Sequence, residues 1–168
     1  MPEPLIHLIC GSTGAGKTTY ARELAIRIGG VHFSIDEWMA ALFWMDNPEA
    51  SDPAWAIERV ERCMVQIWAV VRQVATRGVP CILDFGFGTR ELRSRFTGLA
   101  QEAGLSVRLH VLDIPAEERW RRVQQRNADG SGQLAFAITR EMFDFVETMW
   151  HPPTADEVKS MSGIVVRE

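Results

Sequence analysis

The chain has 168 residues, a length that suits one domain built on one hydrophobic core. Apolar residues make up 46% of the chain and charged residues 24%, a balance typical of globular proteins that excludes an intrinsically disordered chain. The 22 acidic and 18 basic residues give a net charge of −4, which argues against broad, sequence-independent binding to nucleic acid.

The three cysteines, Cys10, Cys63 and Cys81, share no spacing typical of metal ligands. We expect reduced, buried thiols in a cytoplasmic protein. The first residues, 1–4, carry no basic segment, and no apolar run approaches the roughly 18 residues that a membrane span needs. No signal peptide and no membrane span are therefore expected.

The predicted elements alternate between strand and helix in chain order. Short apolar runs predict five strands, over 5–10, 31–35, 79–83, 107–112 and 163–166. Amphipathic spacing and cap residues predict helices over 17–28, 36–45, 53–76, 89–103, 115–126 and 139–150, and a capping-box pattern predicts a short helix after Thr154. A glycine-bearing loop is expected over 127–133. This alternation predicts an α/β protein, with a mainly parallel five-stranded sheet flanked by helices in one domain over 1–168.

Residues 11–18, Gly-Ser-Thr-Gly-Ala-Gly-Lys-Thr, match the P-loop pattern between a predicted strand and a predicted helix. Glycines let backbone N–H groups converge on phosphate oxygens, and the N-terminus of the following helix adds its dipole. We expect Lys17 to contact the β- and γ-phosphates and Thr18 to coordinate Mg²⁺. The predicted ATP-binding residues here are Gly11, Ser12, Thr13, Gly14, Ala15, Gly16, Lys17, Thr18 and Thr19.

With this motif in this setting, the chain resembles the compact P-loop kinases, the AAA_33-type ATP-binding proteins. That group includes chloramphenicol phosphotransferases, zeta toxins and phage polynucleotide kinases. The resemblance extends from Leu5 to about Trp150. It implies a P-loop NTPase fold with a helical lid at about 115–140, and an ATP-dependent phosphotransferase that uses Mg²⁺.

Two aspartates follow predicted strands on the acceptor side. In the resembling kinases, an aspartate at the position of Asp36 is the general base that takes the proton of the acceptor hydroxyl. The alternatives are that Asp36 is a plain helix N-cap or that Glu37 is the base. Asp84 closes the third strand and resembles a Walker-B aspartate. It is predicted either to hold Mg²⁺ or to contact the acceptor.

Arg90 and Trp38 are the other predicted acceptor-binding residues. Arg90 follows Asp84 closely and could bind an anionic acceptor or the transferring phosphate, or it is a solvated helix residue. Aromatic residues are frequent around Asp36, and Trp38 is predicted to line a cavity that suits a small organic or nucleoside-like acceptor.

An arginine stripe forms the predicted lid. Arg119, Arg122 and Arg126 stand at i, i+3 and i+7 and share one helical face. In the resembling kinases such arginines close over the ATP phosphates, where phosphoryl transfer needs cations. We predict catalytic roles for Arg122 and Arg126 and ATP binding for Arg119. The alternative is a solvated helix face paired to Glu117 and Glu118.

Together these residues predict transfer of the ATP γ-phosphate to a hydroxyl of a small-molecule acceptor. One alternative is a polynucleotide 5′-hydroxyl kinase, which the acidic net charge disfavours. The other is a nucleotide-binding regulatory module without kinase activity, which would need neither Asp36 nor the arginine stripe.

Overall fold

The computed structural model describes residues 5–46, 53–130 and 137–167. The strands are β1 (Ile6–Cys10), β2 (Val31–Ser34), β3 (Cys81–Gly86), β4 (Val107–Leu112) and β5 (Ile164–Val166). The helices are α1 (Lys17–Ile28), α2 (Ile35–Leu42), α3 (Pro53–Ala75), α4 (Arg90–Glu102), α5 (Ala116–Asp129), α6 (Arg140–Thr148) and α7 (Ala155–Ser160). A short 3-10 helix, Trp44–Asp46, follows α2.

The strands form one sheet in the order β2-β3-β1-β4-β5, and every neighbouring pair is parallel. The predicted α/β class with a parallel five-stranded sheet is confirmed. Ligands of such sheets collect at the carboxyl ends of the strands. Because β1 is central, the P-loop that follows it lies in the middle of that edge.

Helices cover both faces of the sheet. On one face α1 packs against β1 and β3, with the buried residues Ile9, Ala21, Leu24, Ala25 and Ile82. On the other face α3 and α4 pack against the same strands, with the buried residues Leu8, Ile67, Val71, Leu83 and Phe96. Alternate residues of β1 thus enter opposite cores, as the pleat of a strand with two buried faces requires.

A buried polar chain lies between the sheet and α1. His7 Nδ1 is 2.9 Å from His110 Nε2, and the Tyr20 hydroxyl is 2.8 Å from His110 Nδ1. Burial, and then His7, lower the pKa of His110 to about 3. His110 therefore stays neutral at physiological pH and ties β1, β4 and α1 together by hydrogen bonds rather than by charge.

The structure corrects the start and end of α2. Ser34, not Asp36, is the N-cap, because its hydroxyl accepts the Glu37 backbone N–H at 3.3 Å. Asp36 lies in the first helical turn, so the N-cap interpretation of this residue is wrong. The helix ends at Leu42 instead of continuing to residue 45.

Two further boundaries differ from the prediction. Strand β3 continues to Gly86 because its last residues still pair with β1, where a turn was expected from Phe85. Helix α5 continues to Asp129, three residues further than expected, and Gly130 ends it in the left-handed conformation. The later part of the predicted loop, 131–133, lies outside the described residues.

The thiols of Cys10, Cys63 and Cys81 are buried and unpaired with one another, as predicted. Over the described ranges, no helix combines the length and apolar character that a membrane crossing requires.

Candidate active site

The P-loop joins the end of β1 to the start of α1. The backbone N–H of Gly11 donates to Gly86 O at 3.1 Å, which fixes the start of the loop against the end of β3. Gly14 and Gly16 have φ values of +78° and +85°, in the left-handed region that favours glycine. A Cβ on Gly14 would also stand 2.5 Å from the Arg119 carbonyl oxygen. Backbone conformation and the neighbouring helix α5 therefore both require glycine here.

Lys17 is the first residue of α1 and lies half-buried over the loop. Its ammonium group donates to Ser12 O at 3.0 Å, which directs the charge toward the space enclosed by the loop. Burial lowers the pKa of Lys17, and the Asp84 and Asp36 carboxylates oppose that shift. The lysine, the loop and both aspartates predicted from the sequence are thus brought to one place.

Thr18 and Asp84 form a hydrogen-bonded pair. The Thr18 hydroxyl donates to Asp84 Oδ2 at 2.7 Å, and His32 Nε2 lies 3.3 Å from the same oxygen. In the described part of the chain, no group of three or more His, Cys, Asp or Glu side chains could hold a metal ion. Mg²⁺ prefers oxygen ligands and is usually bound by one or two protein groups together with substrate phosphates. The Thr18 and Asp84 oxygens beside the P-loop fit such an ion.

Asp36 reaches the same region from the first turn of α2. Asp36 is exposed to solvent within a cavity that Lys17 also lines. Burial by the protein around that cavity, and then the Asp84 carboxylate, raise the pKa of Asp36, while Lys17 and Arg126 oppose the shift. A carboxylate with a raised pKa is a stronger proton acceptor than an ordinary aspartate.

Glu37, the alternative base, points elsewhere. Its carboxylate is exposed and lies 2.5 Å from Arg22 Nη2 of α1. The two neighbouring acids therefore have different environments, and only Asp36 lines the cavities at the P-loop.

Three cavities meet at the P-loop. The phosphate cavity, of about 510 Å³, is lined by the loop, Lys17, Thr18, Asp36 and Arg126. The apolar-walled cavity, of about 240 Å³, lies beyond Lys17 and Asp36 toward the end of α6. The outer cavity, of about 400 Å³, lies between α1 and α5 and includes Thr19.

The three arginines of α5 that were predicted to belong to a lid fall into two groups. Arg122 and Arg126 are half-buried and both line the outer cavity, and Arg126 also lines the phosphate cavity. Arg122 Nε donates to Glu118 Oε1 at 2.9 Å, so the ion pairing considered from the sequence coexists with a place at the cavity. Arg119 is instead 5% exposed and turns into the protein.

Arg119 links the P-loop to the segment after β4 and to helix α6. Its guanidinium donates to Thr13 O at 3.1 Å and to Ile114 O at 2.9 Å. It also makes two parallel bonds to the Glu147 carboxylate, at 2.8 and 2.6 Å. Arg119 therefore holds the backbone of the P-loop, and it is not among the residues that line the phosphate cavity.

Glu147 has a position that sequence reasoning missed. It lies on α6 and accepts a hydrogen bond from the Ser12 hydroxyl in addition to the two from Arg119. The partners lie 135 and 28 residues away in the chain, so no local pattern could reveal them. The apolar residues Phe85, Val146, Met149 and Trp150, which wall the 240 Å³ cavity, were likewise not predicted as site residues.

Two predicted acceptor residues do not line the phosphate cavity or the apolar-walled cavity. Trp38 is half-buried and packs against the hydrophobic core, and it is not among the described residues that line the phosphate cavity or the apolar-walled cavity. Arg90 is exposed at the start of α4 and is also outside both linings.

A parallel sheet with a P-loop after its central strand, and a Thr–Asp pair at the loop, define a P-loop nucleotide-binding fold of the kinase type. The chain belongs to the AAA_33 family, because the model of that family, described as an AAA domain, matches residues 6–147. No curated protein sequence matches the chain.

Several solved structures share the fold of this chain. A Chloroflexus aurantiacus protein assigned as a kinase has a TM-score of 0.74 at 18% identity, covering 100% of this chain and 86% of that one. Kti12 of Chaetomium thermophilum, solved with ADP-AlF3, has a TM-score of 0.70 at 15% identity, covering 96% and 88%. A gluconokinase of Sinorhizobium meliloti 1021 has a TM-score of 0.66 at 12% identity, covering 98% and 82%. At these identities the likeness shows the fold, and the resemblance to P-loop kinases is confirmed.

Proposed function

We propose that the protein is an ATP-dependent phosphotransferase that moves the γ-phosphoryl group to a hydroxyl of a small molecule, with Asp36 as the general base. One observation carries this proposal. Asp36 and Lys17 line both the phosphate cavity and the apolar-walled cavity, so they stand where a donor phosphate and an acceptor would meet.

The chemistry at that junction is an in-line displacement. The acceptor oxygen forms a bond to the γ-phosphorus as the bond between that phosphorus and the β,γ-bridging oxygen breaks. The acceptor proton passes to a carboxylate oxygen of Asp36, and ADP leaves. The raised pKa of Asp36 suits it to accept this proton at neutral pH.

Positive charge around the donor phosphates supports the same step. Lys17 lies under the phosphate cavity, and Arg126 enters it from α5. Arg122 lies next to the loop, with its Nη1 3.6 Å from the position of a Cβ on Gly16. These cations offset the negative charge that spreads over the phosphoryl oxygens in the transition state. Mg²⁺, when bound with the nucleotide, would be held by Thr18 and Asp84 and would supply further neutralisation of the phosphates.

The outer cavity suits the base of the nucleotide. Its walls include the apolar side chains of Leu112, Val123 and Val166, and the ring of Tyr20, whose hydroxyl is held by His110. A flat heterocycle can be enclosed by such a surface while its phosphates extend along the P-loop. This placement leaves the apolar-walled cavity for the acceptor.

Two alternatives make different predictions. A polynucleotide 5′-hydroxyl kinase needs a basic groove for its substrate, and the net charge of −4 gives that interpretation no support. A regulatory nucleotide-binding module would bind and hydrolyse ATP without transferring phosphate to a hydroxyl, and Asp36 would then have no role in turnover.

The test compares Asp36→Asn with Asp46→Asn, an exposed aspartate in the 3-10 helix after α2. We expect Asp36→Asn to lower acceptor-dependent ADP release by about a hundredfold or more, while the Kd for AMPPNP changes by less than about threefold. Asp46→Asn should keep the wild-type rate. A wild-type rate in Asp36→Asn would overturn the assignment of the base.

A further inference from the structure

We propose that the acceptor is an alcohol with an apolar, ring-sized body and no anionic group, and that Trp150 is the residue that selects it. The proposal rests on the phosphotransferase function proposed above and specifies the substrate class of the same site. It follows from the walls, the charges and the size of the apolar-walled cavity.

Two groups of apolar residues line this cavity. From the start of α2 and the end of β3 come Ile35 and Phe85, which are each 8% exposed. Helix α6 supplies Val146, and Met149 and Trp150 follow the helix directly. An acceptor that enters between them exchanges water for hydrocarbon and aromatic surface, which favours an apolar body.

The aromatic part of these walls is fixed by its surroundings. The Phe85 ring stacks on Phe87 with ring centres 5.7 Å apart. The Trp150 ring lies against Gly88, where an added Cβ would meet it at 3.6 Å, and the next residue, His151, donates its backbone N–H to Gly88 O at 2.9 Å. Rigid aromatic walls need little reordering when a ring binds, so they discriminate by shape.

The charges of the lining exclude an anionic acceptor. Its only charged side chains among the described residues are Lys17, Asp36 and Asp84. With ATP and Mg²⁺ bound, Lys17 would be engaged by phosphates and Asp84 by the metal and Thr18, so Asp36 is the free carboxylate that faces any group that enters. A carboxylate or phosphate on the acceptor would be desolvated beside like charges and a polyanionic nucleotide, without a cation of its own.

No arginine of the described residues lines this cavity, and Arg126, which enters the neighbouring phosphate cavity, would be engaged by the nucleotide there. Arg119 is bonded to Glu147 and backbone carbonyls, and Arg90 is exposed at the start of α4. The cavity volume of about 240 Å³ matches a body near one ring in size. It is smaller than the roughly 300–1,000 Å³ of sites for drug-sized ligands.

Two probes of matched skeleton test the charge rule: 1-phenyl-1,2-ethanediol, which is neutral, and mandelate, in which a carboxylate replaces the terminal alcohol. Calorimetry measures their binding to the full chain saturated with Mg–AMPPNP. We expect the diol to bind at least about tenfold more tightly than mandelate, because one unfavourable charge contact of this kind is worth about that factor. Equal or tighter binding of mandelate would overturn the proposal.

Two variants test the residues. Trp150→Ala should weaken diol binding about tenfold with an unchanged Kd for AMPPNP, whereas Trp120→Ala, which removes a half-buried ring outside the cavity lining, should not. Val146→Lys adds a cation to the half-buried wall and should shift the diol-to-mandelate affinity ratio about tenfold toward mandelate. A Trp150→Ala variant that binds the diol as wild type does, or an unchanged ratio in Val146→Lys, would contradict the assignment.

Failure of this proposal is distinguishable from failure of the phosphotransferase function. If the diol binds selectively but mass spectrometry finds no phosphate ester with ATP, the substrate class stands and the transfer is refuted. If mandelate or another anionic alcohol is phosphorylated in preference to the diol, the transfer stands and the substrate class is refuted.

Discussion

Removing the Glu147 carboxylate should destabilise the protein far more than removing an exposed carboxylate from the same helix. Glu147 makes two bonds to Arg119, at 2.8 and 2.6 Å, and accepts the Ser12 hydroxyl. The side chain of Arg119 is 7% exposed and that of Glu147 is 27% exposed. Glu147→Ala would leave a buried guanidinium without its counter-charge at the base of the P-loop.

The expected loss follows from that burial. Breaking a fully buried ion pair by removing one partner costs about 3–5 kcal/mol. Arg119 keeps its bonds to Thr13 O and Ile114 O, and water reaches part of the vacated space, so we expect a loss of about 2–3 kcal/mol. For a chain of this size the Tm should fall by about 4–12 °C.

Urea denaturation measures the free energy of unfolding, with Asp144→Ala as the matched control. Asp144 pairs with Arg140 on α6, but the two side chains are 55% and 47% exposed, so the control should lose about 0.5 kcal/mol or less. The hydrogen bonds from Arg119 are the main reason that the pKa of Glu147 is lowered. The stabilisation of the fold by this ion pair is therefore present above the ordinary pKa of 4.5 and is lost as the pH falls. The gap between wild type and Glu147→Ala should therefore narrow in acid. Equal losses in the two variants at neutral pH would refute the structural role of Glu147.

Three further outcomes are expected. The kcat/KM for transfer should rise with pH as Asp36 loses its proton. The midpoint of that rise should lie above the ordinary pKa of 3.8, because the pKa of Asp36 is raised. A pH-independent kcat/KM across that range would contradict a base at this position. Asp84→Asn should raise the Mg²⁺ concentration for half-maximal activity about tenfold, while metal-free ATP binding, measured by calorimetry, stays within about twofold; an unchanged Mg²⁺ requirement would remove Asp84 from the metal site. Gly14→Ala should abolish ATP binding and lower stability by about 1–3 kcal/mol, because its Cβ would stand 2.5 Å from a carbonyl oxygen at a φ of +78°. The control Gly98→Ala, in a helix with nothing within 4 Å of the added Cβ, should be neutral or stabilising, and similar effects at both glycines would contradict the steric argument.

The features that sequence reasoning predicted are those set by local chemistry. The P-loop is a contiguous pattern, and its strand and helix follow from apolar runs on either side. The capping box of Thr154 and Glu157 is also contiguous, and the structure shows both of its hydrogen bonds. Asp36, Lys17 and Asp84 were brought together because parallel strands end at one edge of the sheet.

The features that were missed depend on contacts between distant segments. Helical spacing placed Arg119 on the same face as Arg122 and Arg126, but spacing does not show how far a side chain is buried. Arg119 turns inward, where Glu147, 28 residues later, supplies a half-buried carboxylate. The N-cap of α2 was missed for a different reason. Ser34 and Asp36 are both good cap residues, and the helix begins directly after β2, so Ser34 rather than Asp36 takes the cap position.

The wall of the apolar-walled cavity could not be predicted for the same reason. The sequence favours Trp38, which is near Asp36 in the chain, whereas the tryptophan that lines the cavity is Trp150, more than a hundred residues later. The chain passes through α3, α4 and α5 before α6 returns to the P-loop. The packing of α6, which the Glu147–Arg119 pair ties to α5, places that ring in the cavity that Asp36 also lines.

The most direct measurement follows the γ-phosphorus itself. The full chain is incubated with Mg²⁺, with ATP carrying ¹⁸O in its γ-phosphate, and with a set of neutral ring-bearing alcohols, and the products are resolved by mass spectrometry and ³¹P NMR. Wild type should form a phosphate ester that carries the ¹⁸O label, and Asp36→Asn should form it at least about a hundredfold more slowly. Release of labelled inorganic phosphate at equal rates from wild type and Asp36→Asn, with no ester from any alcohol, would contradict a phosphotransferase with Asp36 as its base.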